Sequence, residues 1–478
     1  MPAAWRWLSC ADAACARHAA ALLSAVAAGL FVLIASRLPL LPRFNPDTLS
    51  YLDLLPTRPP AYGLLLNAWT RLVGDLSGLP QFQAAVVVGA ALALAVAAAR
   101  RTGSLLLGLC LLCAIFLPSD LHYWCGLAMT DALFAASVML MLAASLRLDP
   151  GRPVTCLLRI GVWAAMGLAL RNAGMPLVAG AELLALAVAW GQRMRPWRPL
   201  AAATLPALLA LALSIAVHWQ VNGRATPGAW SGVSLAGKAL LLTRPGDEAW
   251  LPPALHAAPS LAEEVRVAPR ASDWLLRQRI RLAQYDAIRF GKLWPDLQAA
   301  GIVDPMRIDA IVGPAARRAI HRDPVGYLRL ALSDWIALWA LPLRITTAER
   351  EAALRDVANH PPPLLDLTEP DVQHFMAPPA ERPFVVWFQR SVSVAAFAIG
   401  VVAILIAVPL LLRRRPLGQH DAILFAALLL HGSFAVVASV EGGLSRYAMP
   451  LWPAQLLLCV LAANAVFTAC RKCRKGDR

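Results

Sequence analysis

The apolar run "AAALLSAVAAGLFVLIAS" (Ala19–Ser36) decides the fold class of this chain. It contains no charged residue, and its length approaches the roughly 20 residues with which an α-helix crosses a bilayer. Arg17 precedes the run, and the run is longer than the apolar part of a cleaved signal peptide. We therefore interpret the segment 19–41 as a first transmembrane helix that is retained in the protein.

The composition indicates that many such helices follow. Of the 478 residues, 59% are hydrophobic and 15% are charged, whereas soluble domains carry roughly 25% charged residues. Further apolar segments of membrane character occur at 82–99, 104–118, 125–146, 156–170, 174–190, 199–218, 385–412, 420–439 and 447–468. The sequence thus predicts an all-α polytopic membrane protein with about ten transmembrane helices and amphipathic helices on the outer face.

Positive charges predict the orientation of these spans. Basic clusters alternate with the apolar segments, at Arg6 and Arg17, Arg100 and Arg101, Arg147, Arg152 and Arg159, Arg193, Arg195 and Arg198, Arg413 to Arg415, and 471–475. All of them lie on one side if ten spans are crossed, so the positive-inside rule predicts that both termini are cytoplasmic. The net charge of +15 then reflects topology and contact with membrane lipids, and we expect no nucleic-acid partner.

The predicted spans divide the chain into three regions. Residues 1–218 form an N-terminal transmembrane module whose first outer loop is 42–81, and residues 219–384 form a larger extracytoplasmic region. Residues 385–478 contain the last transmembrane helices and a basic cytoplasmic tail. The segment 327–344 is apolar but carries Arg329 and Asp334, so we interpret it as an amphipathic helix at the outer membrane interface.

The first outer loop contains "RFNPDTLSYLDLLPTRPPAYGLLLNAW" (Arg43–Trp69), which has more polar chemistry than a plain connector requires. Asn45 and Pro46 are typical of a helix start. In that helix Asp47 and Tyr51 are four residues apart and share a face. Arg58 and two prolines then end the helix before a second one begins near 61. The loop is either a capped interfacial helix with solvated acids or one wall of a site.

Three more charged residues lie near predicted outer ends of spans. Asp131 is one to two turns inside the span 125–146, where an ionisable group is a functional candidate by default. Its alternative role is an interhelical hydrogen bond. Arg171 and Arg446 occupy outer turns, and the guanidinium suits recognition of phosphate. The alternative for each arginine is snorkelling to lipid headgroups.

Other motifs are absent from the sequence. It has no H-x-x-x-H or H-E-x-x-H zinc spacing, no G-x-S-x-G, no P-loop and no G-x-G-x-x-G. None of the nine cysteines lies between 219 and 384, which excludes a disulfide-stapled outer domain. Glu182 lies near the middle of its span, and we interpret it as a paired or protonated structural group.

Four segments together resemble the GT-C superfamily of integral-membrane glycosyltransferases, particularly its protein-O-mannosyltransferase-like and aminoarabinose-transferase-like branch. They are "PDTLSYLDLLPTRPPAYGLLLNAW" (46–69), "LAMTDALFAASVMLML" (127–142), "LALRNAGMPLV" (168–178) and "SRYAMPLWPAQLLL" (445–458). They occur in the order that the family shows and on the predicted outer side.

The resemblance implies transfer of a sugar from a polyprenyl-phosphate-linked donor to a hydroxyl acceptor on the extracytoplasmic face, usually with inversion. Asp47 matches the family's catalytic carboxylate and Asp131 its second acid. Arg171 and Arg446 match basic residues near the lipid phosphate, while Tyr51, Arg58 and Tyr447 belong to the same substrate-binding motifs. The acceptor is a lipid, a glycan or a protein. A divalent metal, Mg²⁺ or Mn²⁺, is possible in the family, although here Thr48 replaces the second of two adjacent acids.

Two other functions compete with this hypothesis. A transporter or lipid flippase would use Asp131 and Glu182 as coupling groups, although transport sites cluster near the membrane midplane. A membrane scaffold that lost catalysis would not need Asp47 and Asp131, so the presence of both acids argues against this function. The absence of N-x-Ser/Thr sequons and the short outer loops favour a bacterial inner (plasma) membrane.

Overall fold

The protein is described by a computed structural model that covers residues 13–228, 230–340, 344–412, 421–441 and 445–476. Over these ranges every extended regular element is a helix, and β-pairing is limited to two isolated bridges. The α-helices are α1 (Ala13–Ala35), α2 (Pro46–Leu52), α3 (Ala61–Val73), α4 (Leu79–Thr102), α5 (Leu105–Phe116), α6 (Asp120–Cys125), α7 (Asp131–Leu146), α8 (Pro153–Leu170), α9 (Met175–Gly191), α10 (Trp197–Asn222), α11 (Ser231–Ala239), α12 (Ala258–Val267), α13 (Trp274–Asp286), α14 (Trp294–Ala299), α15 (Pro305–Arg322), α16 (Pro324–Ala340), α17 (Thr347–Asn359), α18 (Pro370–Met376), α19 (Pro383–Leu412), α20 (Asp421–Val440), α21 (Ser445–Ala448) and α22 (Trp452–Gly476). The predicted all-α polytopic class is confirmed.

Eight stretches of helix are long and apolar enough to cross a membrane. They are His18–Ala35, Leu79–Thr102, Pro153–Leu170, Asn172–Gly191, Trp197–Asn222, Pro383–Ala407, Asp421–Val440 and Arg446–Cys470. The other two expected spans, 104–118 and 125–146, correspond to the apolar helices α5 and α7, which have 12 and 16 residues. The helix α7 begins only at Asp131 because the preceding residues turn and bond to a neighbouring loop.

The chain divides into two compact units. Unit 1 comprises Met1–Gly228, Val392–Ser433 and Met449–Arg478, and unit 2 comprises Ala229–Ser391 and Phe434–Ala448. Most of the predicted extracytoplasmic region 219–384 therefore belongs to unit 2.

In unit 1, α7 lies at the centre and nearly all of its residues are buried. Small residues bring neighbouring helices close, as is usual for helices packed in membranes. A Cβ added to Gly161 of α8 would stand only 2.5 Å from the carbonyl oxygen of Ala203 on α10. Asp131, the first residue of α7, is itself fully buried.

In unit 2, helices α11, α13 and α15 share an apolar core. The segment expected at the membrane interface, 327–344, forms α16 over Pro324–Ala340, and residues 341–343 lie outside the described ranges. One face of α16 buries Asp334 against polar partners. The other presents an exposed apolar stripe, which consists of Val325, Leu328, Leu332 and Ile336.

Candidate active site

The loop 42–81 forms the helix that its sequence predicts. The side chain of Asn45 accepts a hydrogen bond from the backbone N of Asp47 at 3.2 Å, and the N of Asn45 donates to Thr48 Oγ1 at 2.9 Å. Pro46 occupies the first helical turn, where its missing N–H costs nothing. The predicted cap at Asn45 is confirmed, and Asp47 lies in the first turn of α2.

Three of the predicted site residues lie together in this loop. Arg58 Nη2 donates to Asp47 Oδ1 at 2.6 Å, with 29% and 25% of their side chains exposed. The guanidinium carbon of Arg58 is also 5.7 Å from the ring centroid of Tyr51. A guanidinium held by a carboxylate and an aromatic ring, and partly open to solvent, can accept an anion that replaces the carboxylate.

The backbone at Arg58 is held from the end of α10. His218 Nε2 lies 2.9 Å from the carbonyl oxygen of Arg58. Asn222 donates to His218 Nδ1 at 3.1 Å and to the carbonyl oxygen of Leu54 at 3.0 Å. Because Nδ1 accepts a hydrogen bond from Asn222, the ring proton of His218 lies on Nε2, which donates to the carbonyl oxygen of Arg58. Neither His218 nor Asn222 was identified from the sequence, although two polar residues four apart at the end of an apolar helix are a usable signal.

Gly228 packs against the carbonyl group of Arg58. It has a φ of +84°, and a Cβ at this position would lie 2.2 Å from the oxygen of Arg58. Only glycine allows both this left-handed conformation and this close approach. The amide of Asn172 donates to the oxygen of Gly228 at 2.7 Å, so the chain after α10 is tied to the turn that carries Arg171.

The first loop is joined to the segment that precedes Asp131. The backbone N of Arg43 donates to Gly126 O at 2.9 Å, and the N of Ala128 donates to Arg43 O at 3.0 Å. Thr48 Oγ1 donates to Ala128 O at 3.1 Å. The hydroxyls of Tyr51 and Thr130 are 3.4 Å apart. Residues near both candidate acids therefore belong to one hydrogen-bonded scaffold.

A buried glutamine on α4 completes this scaffold. Gln83 Nε2 donates to the carbonyl oxygens of Cys125 and Leu127 at 3.0 and 2.9 Å, and Gln83 Oε1 accepts from the Tyr62 hydroxyl at 3.2 Å. Burial raises the pKa of Tyr62 well above its usual value, and the neighbouring Tyr51 and the charge of Asp131 raise it further. Tyr62 therefore remains a neutral hydrogen-bond donor. Neither Gln83 nor Tyr62 was identified from the sequence.

Asp131 forms a buried ion pair with Arg171. Arg171 Nη1 donates to Asp131 Oδ1, and the side chains are 11% and 0% exposed for Arg171 and Asp131. Arg171 has an extended backbone after α8, and its N donates to Gly167 O at 3.0 Å. Removing one partner of such a pair would leave an uncompensated buried charge. The pair thus fixes the turn between α8 and α9 against the start of α7.

The remaining predicted residues belong to other helices. Arg446 and Tyr447 are half-buried on α21 in unit 2. Glu182 of α9 accepts a hydrogen bond from Thr204 Oγ1 at 2.9 Å. Within the described part of the chain, no group of three His, Cys, Asp or Glu side chains is arranged to hold a metal ion.

Comparison with protein-family models gave no match, and comparison with curated proteins gave none. Among solved structures, the chain is similar to a crystal structure of ArnT from Cupriavidus metallidurans bound to undecaprenyl phosphate. The alignment covers 91% of this chain and 77% of that chain, with 14% sequence identity and a TM-score of 0.35.

Proposed function

We propose that this chain is a membrane glycosyltransferase that moves a sugar from a polyprenyl-phosphate-linked donor to a hydroxyl acceptor. The observation that carries the proposal is the pairing of both candidate acids with arginines, Asp47 with Arg58 and Asp131 with Arg171. The two pairs are joined through the scaffold of Thr48, Tyr51 and Thr130. Carboxylates and guanidinium groups in one scaffold are the chemistry that this reaction needs.

Asp47 is the proposed general base. The acceptor hydroxyl oxygen attacks the anomeric carbon, its proton passes to the Asp47 carboxylate, and the bond from that carbon to the phosphate oxygen breaks with inversion. The lipid phosphate leaves with the electron pair of that bond. The partial exposure of Asp47 supports this role, because a base must reach the proton that it accepts.

The arginines are proposed to bind the phosphate. Negative charge grows on the leaving phosphate, and planar guanidinium donors stabilise it. Arg58 can release Asp47 as it binds the anion, which frees the base when the donor arrives. Arg171, held by the buried Asp131, is the second proposed phosphate ligand. The roles of Arg446 and Tyr447 rest on the sequence motif "SRYAMP" alone.

A resident metal is not part of this mechanism. Each of the two carboxylates is paired with a guanidinium, and the described residues do not bring a third acidic or imidazole ligand to them. This donor set does not fit a dedicated Mg²⁺ or Mn²⁺ centre, which needs several oxygen ligands. The proposed reaction therefore uses only carboxylate and guanidinium groups of the chain.

The proposed location is the extracytoplasmic face of a bacterial inner membrane, with both termini cytoplasmic. Nucleotide sugars are cytoplasmic, so a lipid-linked donor suits a reaction on the other side. The basic clusters between spans support this orientation. Acceptor classes compatible with the site are a lipid, a glycan or a protein hydroxyl.

The decisive experiment compares the purified protein with its Asp47→Asn variant. Both are assayed in detergent for sugar release from a panel of polyprenyl-phosphate sugars, with a panel of hydroxyl acceptors. Asp53→Asn is the matched control, because Asp53 is an exposed acid at the end of the same helix. Turnover that is lost in Asp47→Asn and kept in Asp53→Asn supports the proposal. Equal turnover in all three proteins removes Asp47 from the reaction.

The transporter alternative is tested on the same preparations. Lipid-linked sugar is incorporated into proteoliposomes, and its movement between leaflets is measured. Movement without sugar release, together with its loss in Asp131→Asn and Glu182→Gln, would replace the glycosyltransferase by a flippase.

A further inference from the structure

The turn that carries Arg58 is not held in place by the Arg58 side chain. Its contact with Asp47 is partly exposed, and an ion pair that is screened by solvent contributes little to stability. In the described part of the chain, Arg58 Nε is buried and has no hydrogen-bond partner. The position of the guanidinium therefore depends on how the backbone of residues 54–58 is held.

The backbone of this turn has two features that require support from outside it. Leu54 has a φ of +49°, a left-handed conformation that is unfavourable for a residue with a bulky side chain. Arg58 precedes Pro59 and Pro60, which are buried and have no N–H group to donate. A proline also disfavours the helical conformation at the residue before it. The carbonyl groups of Leu54 and Arg58 therefore need hydrogen-bond donors from another part of the chain.

The end of α10 supplies both donors. His218 Nε2 donates to the carbonyl oxygen of Arg58 at 2.9 Å, and the amide of Asn222 donates to that of Leu54 at 3.0 Å. Asn222 also donates to His218 Nδ1 at 3.1 Å, which fixes the orientation of the ring. His218 is fully buried, so the loss of its bond would leave a carbonyl group unsatisfied. We call His218 and Asn222 the anchor pair.

The segment after α10 restricts the turn from a further side. A Cβ added to Gly228 would lie 2.2 Å from the carbonyl oxygen of Arg58 and 2.6 Å from the N of Pro59. Gly228 is itself held, because its oxygen accepts a hydrogen bond from Asn172 at 2.7 Å. All of these residues belong to unit 1. The backbone of Arg58 is therefore enclosed by α10 and by the chain that follows it.

We propose that the anchor pair positions Arg58, so that its guanidinium is already placed for an anion when the sugar donor arrives. This inference rests on the proposed function and deepens it, because it assigns two positioning residues on α10. Neither residue needs to touch the substrate. A turn held in one conformation loses less conformational freedom on binding than a mobile turn does, so its affinity for the anion is higher.

The test compares His218→Leu with His218→Gln in the full-length protein in nanodiscs. Leucine removes the hydrogen-bond donor to Arg58, whereas a glutamine amide can still donate to the same carbonyl group. His256→Leu is the matched control, because the exposed His256 also lies 3.1 Å from a backbone carbonyl oxygen, that of Leu251 in unit 2. Two quantities are measured, the hydrogen–deuterium exchange of residues 54–58 and the steady-state KM and kcat for a polyprenyl-phosphate sugar.

We expect His218→Leu to speed the exchange of residues 54–58 about tenfold and to raise the KM for the sugar donor about tenfold, the effect of one lost hydrogen bond. His218→Gln should recover much of both changes, and His256→Leu should match the wild type. A general loss of folded protein would instead lower kcat and leave this KM unchanged. If His218→Leu does not fold, Asn222→Ala, which releases the carbonyl group of Leu54, is compared by the same measurements.

A double-mutant cycle with Arg58→Ala tests whether the anchor pair acts through Arg58. In the Arg58→Ala background, His218→Leu should leave the KM for the sugar donor unchanged, because the contact that it positions is already lost. The exchange of residues 54–58 should still become faster. Fully additive effects on the KM would refute action through Arg58.

Two further results separate failure of the inference from failure of the proposed function. Unchanged exchange and unchanged KM in a folded His218→Leu would refute the anchor pair and leave the proposed function intact. Wild-type protein that turns over no sugar donor would refute the proposed function, and with it the role of Arg58 in substrate binding. Faster exchange in His218→Leu would then still show that α10 holds the turn.

Discussion

The guanidinium of Arg58 lies 2.6 Å from the carboxylate of Asp47, eleven residues earlier in the chain. The two side chains are carried by different parts of the loop, one in the first turn of α2 and the other after the helix has ended. The contact is partly exposed, so it can open without moving the buried core. A substrate anion that binds Arg58 would release Asp47.

The first prediction concerns this pair. Arg58→Ala should raise the KM for a polyprenyl-phosphate sugar about tenfold or more, because one charge-assisted contact to phosphate is lost. Arg58→Lys should recover only part of the loss, since an ammonium group lacks the planar fork. Arg71→Ala, at an exposed arginine on α3, is the control. Steady-state kinetics that show unchanged donor KM in Arg58→Ala would contradict the role.

The second prediction concerns Asp131 and Arg171. Arg171→Gln should destabilise the protein by about 3–5 kcal/mol, because it leaves the Asp131 carboxylate buried without its charge partner. The double variant Asp131→Asn, Arg171→Gln should regain much of that stability but not the activity. Thermal unfolding in detergent and turnover measure the two effects separately. A double variant that recovers full turnover would show that the pair is only structural.

The third prediction concerns the scaffold. Gln83→Leu leaves two carbonyl oxygens and the Tyr62 hydroxyl without their partner, and each unsatisfied buried group costs about 1–3 kcal/mol. We expect a lower unfolding temperature and reduced kcat, since the segment before Asp131 loses its support. Gln192→Leu, at an exposed glutamine, should change neither quantity. Normal stability and turnover in Gln83→Leu would exclude a supporting role for Gln83.

The fourth prediction is a pH dependence that arises in unit 2. Burial tends to raise the pKa of Glu349, but bonds from Thr346 and Arg390 outweigh it and lower the pKa below its usual 4.5. A carboxyl with a lowered folded-state pKa stabilises the protein above pH 4.5, and this contribution is lost as the pH falls through the folded-state pKa. Glu349→Gln should be less stable by about 0.5 kcal/mol at pH 7, because it loses the solvent-screened ion pair with Arg390 while glutamine can still complete the capping box with Thr346.

The difference between wild type and Glu349→Gln should shrink as the pH is lowered from 5 to 3. Chemical unfolding at several pH values measures it. Glu351→Gln, at an exposed acid on the same helix, is the control. A difference that stays constant over this pH range would show that the charge of Glu349 does not contribute.

The fifth prediction concerns the apolar stripe of α16. We propose that Val325, Leu328, Leu332 and Ile336 contact lipid, as the amphipathic sequence predicts for an interfacial helix. A photo-crosslinking amino acid at Leu332 should form lipid adducts in nanodiscs. The same amino acid at Arg318, an exposed position on α15, should not. Equal labelling at both positions, or none at Leu332, would contradict the membrane contact.

Features that depend on neighbouring residues were predictable from the sequence. The apolar runs predict the helices, because the bilayer and the buried interior both select for them. The cap at Asn45 and the shared face of Asp47 and Tyr51 follow from helix geometry over a few residues. The expected span 125–146 begins later, at Asp131, since the residues before Asp131 bond to the first loop rather than continue the helix.

The sequence by itself determined the helical membrane class and the local geometry around Asp47. Only the tertiary structure decided which groups meet: Asp131 and Arg171 across 40 residues, His218 and Arg58 across 160, Lys238 and Glu441 across 203. Such partners cannot be identified from spacing, because distant charges carry no periodic signal. They are selected where burial makes an unpaired polar group costly, and burial is a property of the packed chain.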